Sequence, residues 1–346
     1  MCTDFPSTRY QGSKRRILEW VEGHLKGIEF DTALDVFGGT GSVSYLLKTM
    51  GKEVTFNDIL LCNTTAARAL VRNNSIRLSE KWLNKVKFAE PYDGLVSRVY
   101  NNVFFTEEEN KEIDKIAHCI FSNPKTRLEG ARRDLALYAL SQALLMKRPF
   151  NLFHRANLDI RLKDCERRFG NKTTWEKPIL DLMQRNLKEA NDAIFSNGKR
   201  HHVLRKDALS IGSGFDLLYV DPPYCSKGGI CADYHNYYSF LDGMCDYTNW
   251  EERIDCSKKN LPLVKEKTSF MNSTFETDLK KLFSKHSESI IVMSYKSPGK
   301  PTTKELANML KETHKDPMQQ CLEFSYALNR NNGNCRENLF IALPKK

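Results

Sequence analysis

Residues 32–58 read TALDVFGGTGSVSYLLKTMGKEVTFND, and this stretch decides the fold class. The apolar run 32–37 predicts a buried strand, the glycine turn GGTGS at 38–42 follows it directly, and helix-forming VSYLLKTM comes next. Gly51 is a typical helix stop, and residues 53–58 predict a second strand. A strand, a turn, a helix and a strand with short joints form a βαβ unit. Such units build parallel sheets whose two faces are covered.

A second stretch, LLYVDPPYCSKG at 217–228, ends an apolar strand on an acid, two prolines and a tyrosine. A proline fixes its own φ at about −65° and keeps the preceding residue out of the helical region. Asp221 and Pro222 are therefore both held extended, with carbonyls pointing where no amide hydrogen competes. The sequence predicts a rigid display of oxygen acceptors at the carboxyl edge of the sheet.

Between residues 60 and 200 the pattern becomes mainly helical. Thr106 and Glu109 form a capping box, and the runs 132–146 and 173–195 have helical spacing and strong helix formers. We therefore expect a catalytic part formed by 1–60 and 200–346 with an inserted helical part at 61–199.

Further elements are predicted in the two outer parts of the chain. Asn332-Gly333 is a hairpin signal between two strand-like runs near the C-terminus. The predicted elements are an amphipathic helix at 14–26, strands at 201–210 and 289–295, and the terminal strand pair at 321–328 and 337–344.

The formal net charge of +10 is concentrated in the middle of the chain. Residues 61–210 contain 28 Lys+Arg and 18 Asp+Glu, whereas the net charge is −1 over 1–60 and +1 over 211–346. A basic block between neutral flanks favours a polyanion bound to one region. A solvated charged surface is the alternative.

Composition and cysteine spacing bound the class of protein. An apolar content of 40% and an aromatic content of 10% indicate a globular chain. The first residues contain no apolar signal core and no apolar run approaches the length of a membrane span, so we expect a cytoplasmic protein. Ten cysteines include no C-x-x-C pair, and the spacing of Cys225, Cys231, Cys245 and Cys256 matches no zinc pattern. The sequence predicts reduced thiols and no metal site.

The glycine turn is the first candidate for ligand binding. Gly39 and Gly41 begin a dinucleotide fingerprint, but Ser44 stands where its third glycine belongs. This departure disfavours a pyrophosphate, and with it a nicotinamide-dependent oxidoreductase. It favours a nucleoside cofactor without phosphates, such as S-adenosylmethionine. Asp58, which ends the next strand, can accept both ribose hydroxyls. A purely structural turn explains the glycines equally well, and Asp58 could cap a helix.

The acceptors at residues 221–224 suit an aromatic exocyclic amine such as N6 of adenine. The lone pair of that nitrogen is delocalised into the ring. A carboxylate at Asp221 and a carbonyl at Pro222 that accept its two hydrogens draw the nitrogen towards sp³. A methyl sulfonium then reacts without a strong general base, and Tyr224 offers a flat face on which a base can stack.

These motifs, in this order, resemble the alpha-group N6-adenine DNA methyltransferases, the class that includes the bacterial adenine methylase of GATC sites and many restriction-modification partners. The departures are Ser44 and a long aromatic stretch at 233–250. The counterparts of the family motifs are TRYQGSK (8–14), DVFGGTGS (35–42), FND (56–58), MKRPFNLFHRANLDIR (146–161), KDALS (206–210), DPPY (221–224) and IIVMSYKS (290–297).

The resemblance implies a role for each matching residue and no metal. The implied catalytic residues are Asp221, Pro222, Pro223 and Tyr224; the implied cofactor-binding residues are Tyr10, Gly12, Lys14, Asp35, Phe37, Gly39, Gly41, Asp58, Asp207 and Asp221; and the implied DNA-binding residues are Arg148, His154, Arg155, Asn157 and Lys227.

The resemblance also implies an architecture and an activity. The fold would be the Rossmann-like α/β sheet of S-adenosylmethionine-dependent methyltransferases, with a C-terminal antiparallel hairpin and an inserted helical DNA-recognition region. The activity would be methylation of N6 of a flipped-out adenine in a specific site of double-stranded DNA. The protein would be a monomer and the modification enzyme of a restriction-modification system, with an endonuclease that acts on the same site as a partner.

Alternatives stay open at the level of sequence. The amine could belong to adenine in RNA or be N4 of cytosine, or the chain could be a nucleic-acid-binding protein that has lost catalysis. Ordinary structural roles also compete: Tyr10 as a packed aromatic residue, Lys14 as a surface lysine, Asp207 as the start of a turn and His154 as a packed histidine. The aromatic stretch 233–250 is more typical of a core than of a base-stacking surface.

Overall fold

The computed structural model describes residues 4–163, 172–226, 228, 230–271, 273–323 and 335–345. The described residues form both strands and helices. The strands are β1 (Thr32–Asp35), β2 (Glu53–Asn57), β3 (His202–Leu204), β4 (Leu217–Val220), β5 (Ile290–Ser297), β6 (Met318–Glu323) and β7 (Arg336–Ala342). The α-helices are α1 (Leu18–Leu25), α2 (Ser42–Thr49), α3 (Leu61–Ala67), α4 (Glu80–Lys87), α5 (Leu95–Val99), α6 (Glu107–Phe121), α7 (Gly130–Met146), α8 (Leu158–Leu162), α9 (Lys172–Glu176), α10 (Ile179–Asp192), α11 (Tyr234–Cys245), α12 (Phe275–Lys285) and α13 (Thr303–Thr313).

The seven strands form one sheet in the order β3-β2-β1-β4-β5-β7-β6. The first five run parallel, whereas β7 pairs antiparallel with β5 and β6 pairs antiparallel with β7. The carboxyl ends of the parallel strands therefore meet at one edge, and β7 begins at that same edge. This arrangement confirms a mixed α/β fold built on a parallel sheet.

The chain divides into two compact units, which are described separately. The sheet unit consists of 14–59, 197–234 and 266–346, and the helical unit consists of 1–13, 60–196 and 235–265. The division differs from the predicted boundaries because 1–13 and 235–265 belong to the helical unit.

In the sheet unit, apolar strands are covered by amphipathic helices. Leu34 of β1 and Leu218 of β4 belong to one buried cluster with Leu279 of α12 and Leu310 of α13. Helix α2 packs on β1 and β2, and α1 packs on α2. All four residues of β4 are buried, as expected for a central parallel strand with both faces covered.

In the helical unit, α7 is the central helix. Residues 134–145 of α7 are all buried, and the helix packs against α3 and α10. A helix that is buried all round needs no polar face, which agrees with its leucine- and alanine-rich sequence. A second buried group is aromatic and includes residues of the stretch 233–250, as the core interpretation of that stretch predicts; its members are Tyr100, Phe104, Phe105, Phe153, Phe240 and Trp250.

Most predicted elements are present, with shifted ends. The capping box of Thr106 and Glu109 is confirmed at the start of α6. The single helical run predicted at 173–195 is wrong: it is two helices, α9 and α10, separated at Pro178. Proline lacks an amide hydrogen and restricts the residue before it, so a continuous helix is not possible there.

The two C-terminal strands pair antiparallel, and β6 occupies Met318–Glu323, so it begins three residues before the predicted start at 321. Residues 324–328 of the predicted strand lie outside the described residues. The predicted turn at Asn332-Gly333 lies outside the described residues. In the part of the chain that the structure describes, no helix combines the length and the apolar character needed to cross a membrane.

Candidate active site at the carboxyl edge of the sheet

Four aspartates of the sheet unit follow or end its parallel strands. Asp35 is the last residue of β1, Asp58 follows β2, Asp207 lies just beyond β3 and Asp221 follows β4. Open α/β sheets bind their ligands at the carboxyl ends of parallel strands. Burial is the main cause of the raised pKa of Asp35, and the carboxylates of Asp221 and Asp58 raise it further. The sheet therefore gathers acids that are far apart in the sequence.

The carboxylate of Asp221 is held by Lys14. The Lys14 Nζ lies 2.7 Å from Oδ1 and 2.6 Å from Oδ2 of Asp221, and the Lys14 side chain is only 6% exposed. Burial disfavours this ammonium, but Asp221 and Glu337 outweigh burial and raise the pKa of Lys14 above its usual value. A surface lysine, the alternative considered from the sequence, is therefore wrong. Lys14 is a buried cation bound to the first residue of the D-P-P-Y motif.

Asp221 itself has a raised pKa. Burial is the main cause and raises it to about 6, Lys14 opposes the shift and Glu337 adds to it. The group is therefore ionised at neutral pH but is protonated more readily than an ordinary aspartate. An ionised Asp221 can accept hydrogen bonds from a substrate amine, as the motif predicts.

Glu337, near the start of β7, is a site residue that the sequence analysis missed. Its side chain is 1% exposed, and its Oε1 accepts hydrogen bonds from the Tyr224 hydroxyl at 2.6 Å and the Ser294 hydroxyl at 2.9 Å. Lys14 Nζ lies 3.6 Å from the same oxygen. The only signal in the sequence was an acid at the start of an apolar strand, which does not reveal which way the side chain points.

The ring of Tyr224 is half-buried and positioned from two sides. Lys14 Nζ lies 4.8 Å from the ring centroid, and the Tyr295 ring packs against it edge to face at 5.5 Å. Together with the hydroxyl bond to Glu337, these contacts give the ring one defined orientation. A defined aromatic face beside Asp221 is what stacking of a flat base requires.

The glycine turn after β1 adopts backbone conformations that favour glycine. Gly39 and Gly41 have φ of 52° and 80°, and the Gly39 amide donates to Asp58 Oδ2 at 2.9 Å. A Cβ built on Gly38 would lie 2.1 Å from the Phe56 ring. The turn thus joins the end of β1 to the acid that follows β2.

Ser44, at the position of the missing third glycine, has a defined role. Its hydroxyl donates to Asp35 Oδ2 at 2.7 Å, whereas Asp35 Oδ1 is buried and has no hydrogen-bond partner among the described residues. Burial, which Ser44 opposes, raises the pKa of Asp35 to about 7. Phe37, which follows the strand, packs edge to face on Phe270 at 4.8 Å.

Asp207 is occupied by structural hydrogen bonds. Its Oδ1 caps the short 3₁₀ turn Ala208–Ser210 by accepting from the Leu209 amide at 3.0 Å. Its two oxygens also accept from the hydroxyl and the amide of Ser269, each at 2.6 Å. The structural alternative for this residue is therefore confirmed, and the implied contact with the cofactor stays a prediction.

Tyr10 and Gly12 belong to the helical unit. The Tyr10 ring stacks on Tyr238, with centroids 4.3 Å apart and planes 9° apart, and its hydroxyl accepts from Asn63 at 2.9 Å. The Gln11 amide donates to the Tyr238 hydroxyl at 2.7 Å, and Gly12 has a φ of 87°. One face of the Tyr10 ring is thus covered by the Tyr238 ring, and the Tyr10 hydroxyl is held by Asn63.

Arg148, implied to bind DNA, is only 2% exposed. Its guanidinium donates to the carbonyls of Leu152, Phe104, Arg155 and Ala156 at 2.7 to 3.2 Å. A guanidinium that is buried and bonded to four carbonyls has no surface for a phosphate or a base. The predicted direct DNA contact of Arg148 is therefore wrong. Its hydrogen bonds instead hold the backbone of the segment that follows.

The other implied DNA-binding residues of the helical unit lie on that segment. Arg155 is exposed, and Asn157 has a φ of 54° at the start of α8. His154 packs edge to face on Tyr237, and burial, with help from Arg155, lowers its pKa. His154 is therefore partly packed, as the structural alternative expects. DNA contacts by His154, Arg155 and Asn157 stay predictions, and Lys227 lies outside the described residues.

The expectation that all cysteines are reduced is wrong for one pair. Cys225 and Cys231 form a disulfide with a Cα–Cα distance of 3.8 Å. The bond closes the loop that begins immediately after Tyr224. Sequence spacing could not reveal it because six residues can either extend or turn back. The other cysteines among the described residues form no disulfide.

Comparison with known proteins agrees with this arrangement of motifs. The family model described as D12 class N6 adenine-specific DNA methyltransferase matches residues 10–298. Three curated relatives are similar. Type II methyltransferase M2.HphI of Haemophilus parahaemolyticus is 29% identical over 245 residues, covering 69% of this chain and 70% of that protein. Modification methylase StsI of Streptococcus sanguinis is 24% identical over 347 residues, covering 92% of this chain and 48% of that protein. Type II methyltransferase M.NlaIII of Neisseria lactamica is 27% identical over 241 residues, covering 65% of this chain and 66% of that protein.

The chain thus spans about half the length of the StsI methylase and about two thirds of the other two relatives. The match to the family model covers most of the chain and includes the glycine turn, the four aspartates and the D-P-P-Y motif. This chain belongs to the D12 class of N6 adenine-specific DNA methyltransferases.

Proposed function

We propose that this protein transfers a methyl group from S-adenosylmethionine to N6 of a flipped-out adenine in a specific site of double-stranded DNA. The observation that carries the proposal is the D-P-P-Y corner: Asp221 leaves a buried parallel strand beside Asp35 and Asp58, with its carboxylate held by a buried lysine. The relatives named as type II methyltransferases and modification methylases support a role as the modification enzyme of a restriction-modification system.

The residues at the edge of the sheet suit S-adenosylmethionine. The Asp35 oxygen for which the described part of the chain offers no hydrogen-bond partner fits the ammonium of an amino acid, because a buried carboxylate oxygen requires a donor. Asp58 can accept hydrogen bonds from ribose hydroxyls. Gly39 and Gly41 have no side chains, so the turn beside Asp58 leaves room for a ligand. Ser44 bonds Asp35 where a pyrophosphate-binding glycine would stand, which again favours a cofactor without phosphates. When bound, S-adenosylmethionine supplies an electrophilic methyl group on a sulfonium.

The protein's own part in the reaction follows from the acceptors. Asp221 and the Pro222 carbonyl accept the two amine hydrogens and localise the nitrogen lone pair. Neither Pro222 nor Pro223 has an amide hydrogen that could compete for these oxygens. Each carboxylate oxygen has room for two donors, so Asp221 can bind the amine while Lys14 stays in place. Lys14 then keeps Asp221 ionised, and the proton of the methylated amine leaves after transfer.

We assign DNA binding to the basic helical part of the chain. The target base is flipped out of the duplex. An adenine inside a duplex cannot reach Asp221, so the base must leave the stack, at a cost of a few kcal/mol that stacking on Tyr224 partly offsets. The positive charge of 61–210 suits the phosphates, and Arg155 and Asn157 lie on a segment that Arg148 shapes.

The order of motifs supports the alpha group within this family. The cofactor motifs come first in the chain, the basic helical part second and the D-P-P-Y motif third, which is the order that the resemblance implies. We further propose that the protein acts as a monomer in the cytoplasm, and that its partner is an endonuclease that cuts the same site when it is unmethylated.

The experiment is expression in cells that lack adenine methylation, followed by methylation-aware sequencing and by digestion of the DNA to nucleosides. We expect N6-methyladenine at one sequence motif with wild-type protein and none with Asp221→Ala. Finding only N4-methylcytosine, or methylation of RNA alone, would overturn the proposed substrate. Absence of any methylation with tight DNA binding would indicate a protein that has lost catalysis.

A further inference from the structure

Glu337 is a buried acid in a place where a sheet normally has apolar residues. It is the second residue of β7, its exposure is 0%, and it pairs in register with Lys296 of β5. Because β7 runs antiparallel to the other strands beside it, its first residues lie at the edge where β4 ends. The match to the family model ends at residue 298, so Glu337 lies outside it.

One oxygen of Glu337 binds the machinery of the D-P-P-Y corner. Glu337 Oε1 accepts from Tyr224 at 2.6 Å and from Ser294 at 2.9 Å, and Lys14 Nζ lies 3.6 Å away. A carboxylate without exposure is costly unless it is hydrogen-bonded or paired with a cation. Here both conditions are met by residues that also touch Asp221. Burial of Glu337 therefore depends on the same contacts that order the candidate active site.

We propose that Glu337 is a positioning residue for methyl transfer: it holds the Tyr224 ring through the hydroxyl and shares the Lys14 ammonium with Asp221. The inference deepens the proposed function and rests on it, since Asp221 and Tyr224 are the groups through which Glu337 acts. Glu337 touches neither the amine nor the cofactor in this scheme. Its two contacts nevertheless set the geometry of the stacking face and the charge of the acceptor.

The electrostatic part of the proposal has a definite sign. Among the described residues, the titratable groups that interact with Asp221 include Lys14, Glu337, Tyr224, Tyr219 and Asp35. Among them Glu337 raises the pKa of Asp221, while Lys14 and the Tyr224 hydroxyl lower it. Glu337→Gln removes one negative charge that acts on both Lys14 and Asp221. The pKa of Asp221 then falls, and the acid limb of the pH–rate profile moves to lower pH.

The structural part concerns the Tyr224 ring. A neutral glutamine is a weaker acceptor for the Tyr224 hydroxyl than a carboxylate, and a shorter side chain loses the contact. At a pH well above the acid limb, Asp221 is ionised in every variant, so any remaining loss of rate reports on the ring. In the Tyr224→Phe background that loss should largely disappear, because there is no hydroxyl left to hold.

The test measures single-turnover methyl transfer between about pH 5 and about pH 9. The variants are Glu337→Gln, Glu337→Asp, Tyr224→Phe and the double variant Glu337→Gln/Tyr224→Phe. The matched control is Glu323→Gln, which removes an acid of the neighbouring strand β6 whose side chain is 88% exposed. Thermal unfolding and calorimetric cofactor affinity are measured for every variant.

For Glu337→Gln we expect the acid limb to move down by about one pH unit, with about a fivefold lower rate at high pH and cofactor affinity within about twofold of wild type. Glu337→Asp keeps the negative charge, so the acid limb of its pH–rate profile should coincide with that of wild type. Its single-turnover rate at high pH should be lower than that of wild type. It therefore tests the ring contact even if the glutamine variant fails to fold.

A Glu337→Gln profile that coincides with those of wild type and Glu323→Gln would overturn the inference. Multiplicative effects in the double variant would overturn the link to Tyr224. If wild-type protein methylates no adenine at all, it is the proposed function that fails, so the two failures are distinguishable.

Discussion

The ammonium of Lys14 contacts both carboxylate oxygens of Asp221, at 2.7 and 2.6 Å, although 207 residues separate the two in the sequence. The pair joins the first residue of a 3₁₀ turn to the first residue after β4. A buried carboxylate that must stay ionised requires a cation of this kind. The predictions below begin with this pair and extend to the residues around it.

Asp221→Asn is expected to abolish methyl transfer while cofactor and DNA still bind. The amide is close in shape to the carboxylate but is a weak acceptor, and one of its ends donates hydrogens towards the amine. The loss should therefore appear in the single-turnover rate and hardly in the dissociation constants from calorimetry and gel shift. Substantial remaining turnover would contradict the role given to this carboxylate.

Lys14→Met should move the acid limb of the pH–rate profile to higher pH. Without the ammonium, burial and Glu337 act on Asp221 unopposed by it, so its pKa rises above the present value of about 6 and the ionised form is lost at a higher pH. The measurement is the single-turnover rate over the pH range used for Glu337→Gln, whose limb should move in the opposite direction.

The resemblance also implies that Lys14→Ala raises the cofactor dissociation constant with little effect on DNA affinity. The two constants are measured by calorimetry and by fluorescence anisotropy of labelled DNA. Equal losses of both would show that Lys14 supports the whole fold and has no separate role with the cofactor.

Asp35→Asn should change how stability depends on pH. The folded-state pKa of Asp35 is about 7, above its value in the unfolded chain. Between about pH 4 and about pH 7 the folded, cofactor-free wild type therefore binds one more proton than the unfolded chain, and its stability falls as the pH rises through this range. Asp35→Asn has no titrating carboxyl at this position and therefore lacks this pH-dependent loss of stability. Its free energy of unfolding relative to wild type should rise across that range, by at most roughly 4 kcal/mol.

Urea denaturation at several pH values checks this expectation for Asp35. Asp31→Asn is the control, because Asp31 is an exposed acid just before β1. A difference between Asp35→Asn and wild type that is constant across pH would contradict the raised pKa.

Tyr10→Ala should weaken cofactor binding, whereas Tyr10→Phe should retain it. The proposed contact uses the ring, and phenylalanine keeps both the ring and its stacking on Tyr238. The phenylalanine variant loses the hydrogen bond from Asn63, which costs on the order of 1 kcal/mol of stability. Calorimetric titration with S-adenosylmethionine separates the two. Equal affinities for both variants and wild type would remove Tyr10 from the cofactor site.

Arg148→Met and Arg155→Ala should fail in different ways. Arg148→Met removes the hydrogen bonds to four carbonyls and is expected to cost about 3 kcal/mol of stability. Arg155→Ala removes an exposed cation, so it should leave the unfolding temperature unchanged and weaken DNA binding with a smaller salt dependence, by about one in the slope. Thermal unfolding and salt titrations of DNA binding measure both. The reverse pattern would contradict the assignment of the two arginines.

Much of the fold could be predicted because its signals are local. The βαβ unit at 32–58 needs only apolar periodicity and glycines, and the capping box at Thr106 needs four residues. The break at Pro178 was missed although a proline is a local signal, because the residues on both sides of it have helical spacing. The unit boundaries could not be predicted in the same way, because residues 1–13 and 235–265 join the helical unit through contacts with distant residues.

The candidate site shows the same division. Asp221, Asp58 and the glycine turn were predicted because each lies immediately after a strand, where parallel strands place ligand-binding residues. Glu337 was missed because burial of an acid in a β-strand depends on what lies opposite it. Arg148 was misassigned because an arginine in a basic segment looks the same in the sequence whether it faces a phosphate or four carbonyls.

The sequence by itself determined the fold class, the family and the identity of the acceptors at residues 221–224, because strand length, glycine and proline positions and motif order are properties of neighbouring residues. Only the tertiary structure decided the partners of those acceptors. It joined Lys14, Asp221, Tyr224 and Glu337 in one cluster, paired Cys225 with Cys231 and turned Arg148 inward. Burial and pairing energies depend on groups brought together from distant parts of the chain, and no local pattern records which groups those are.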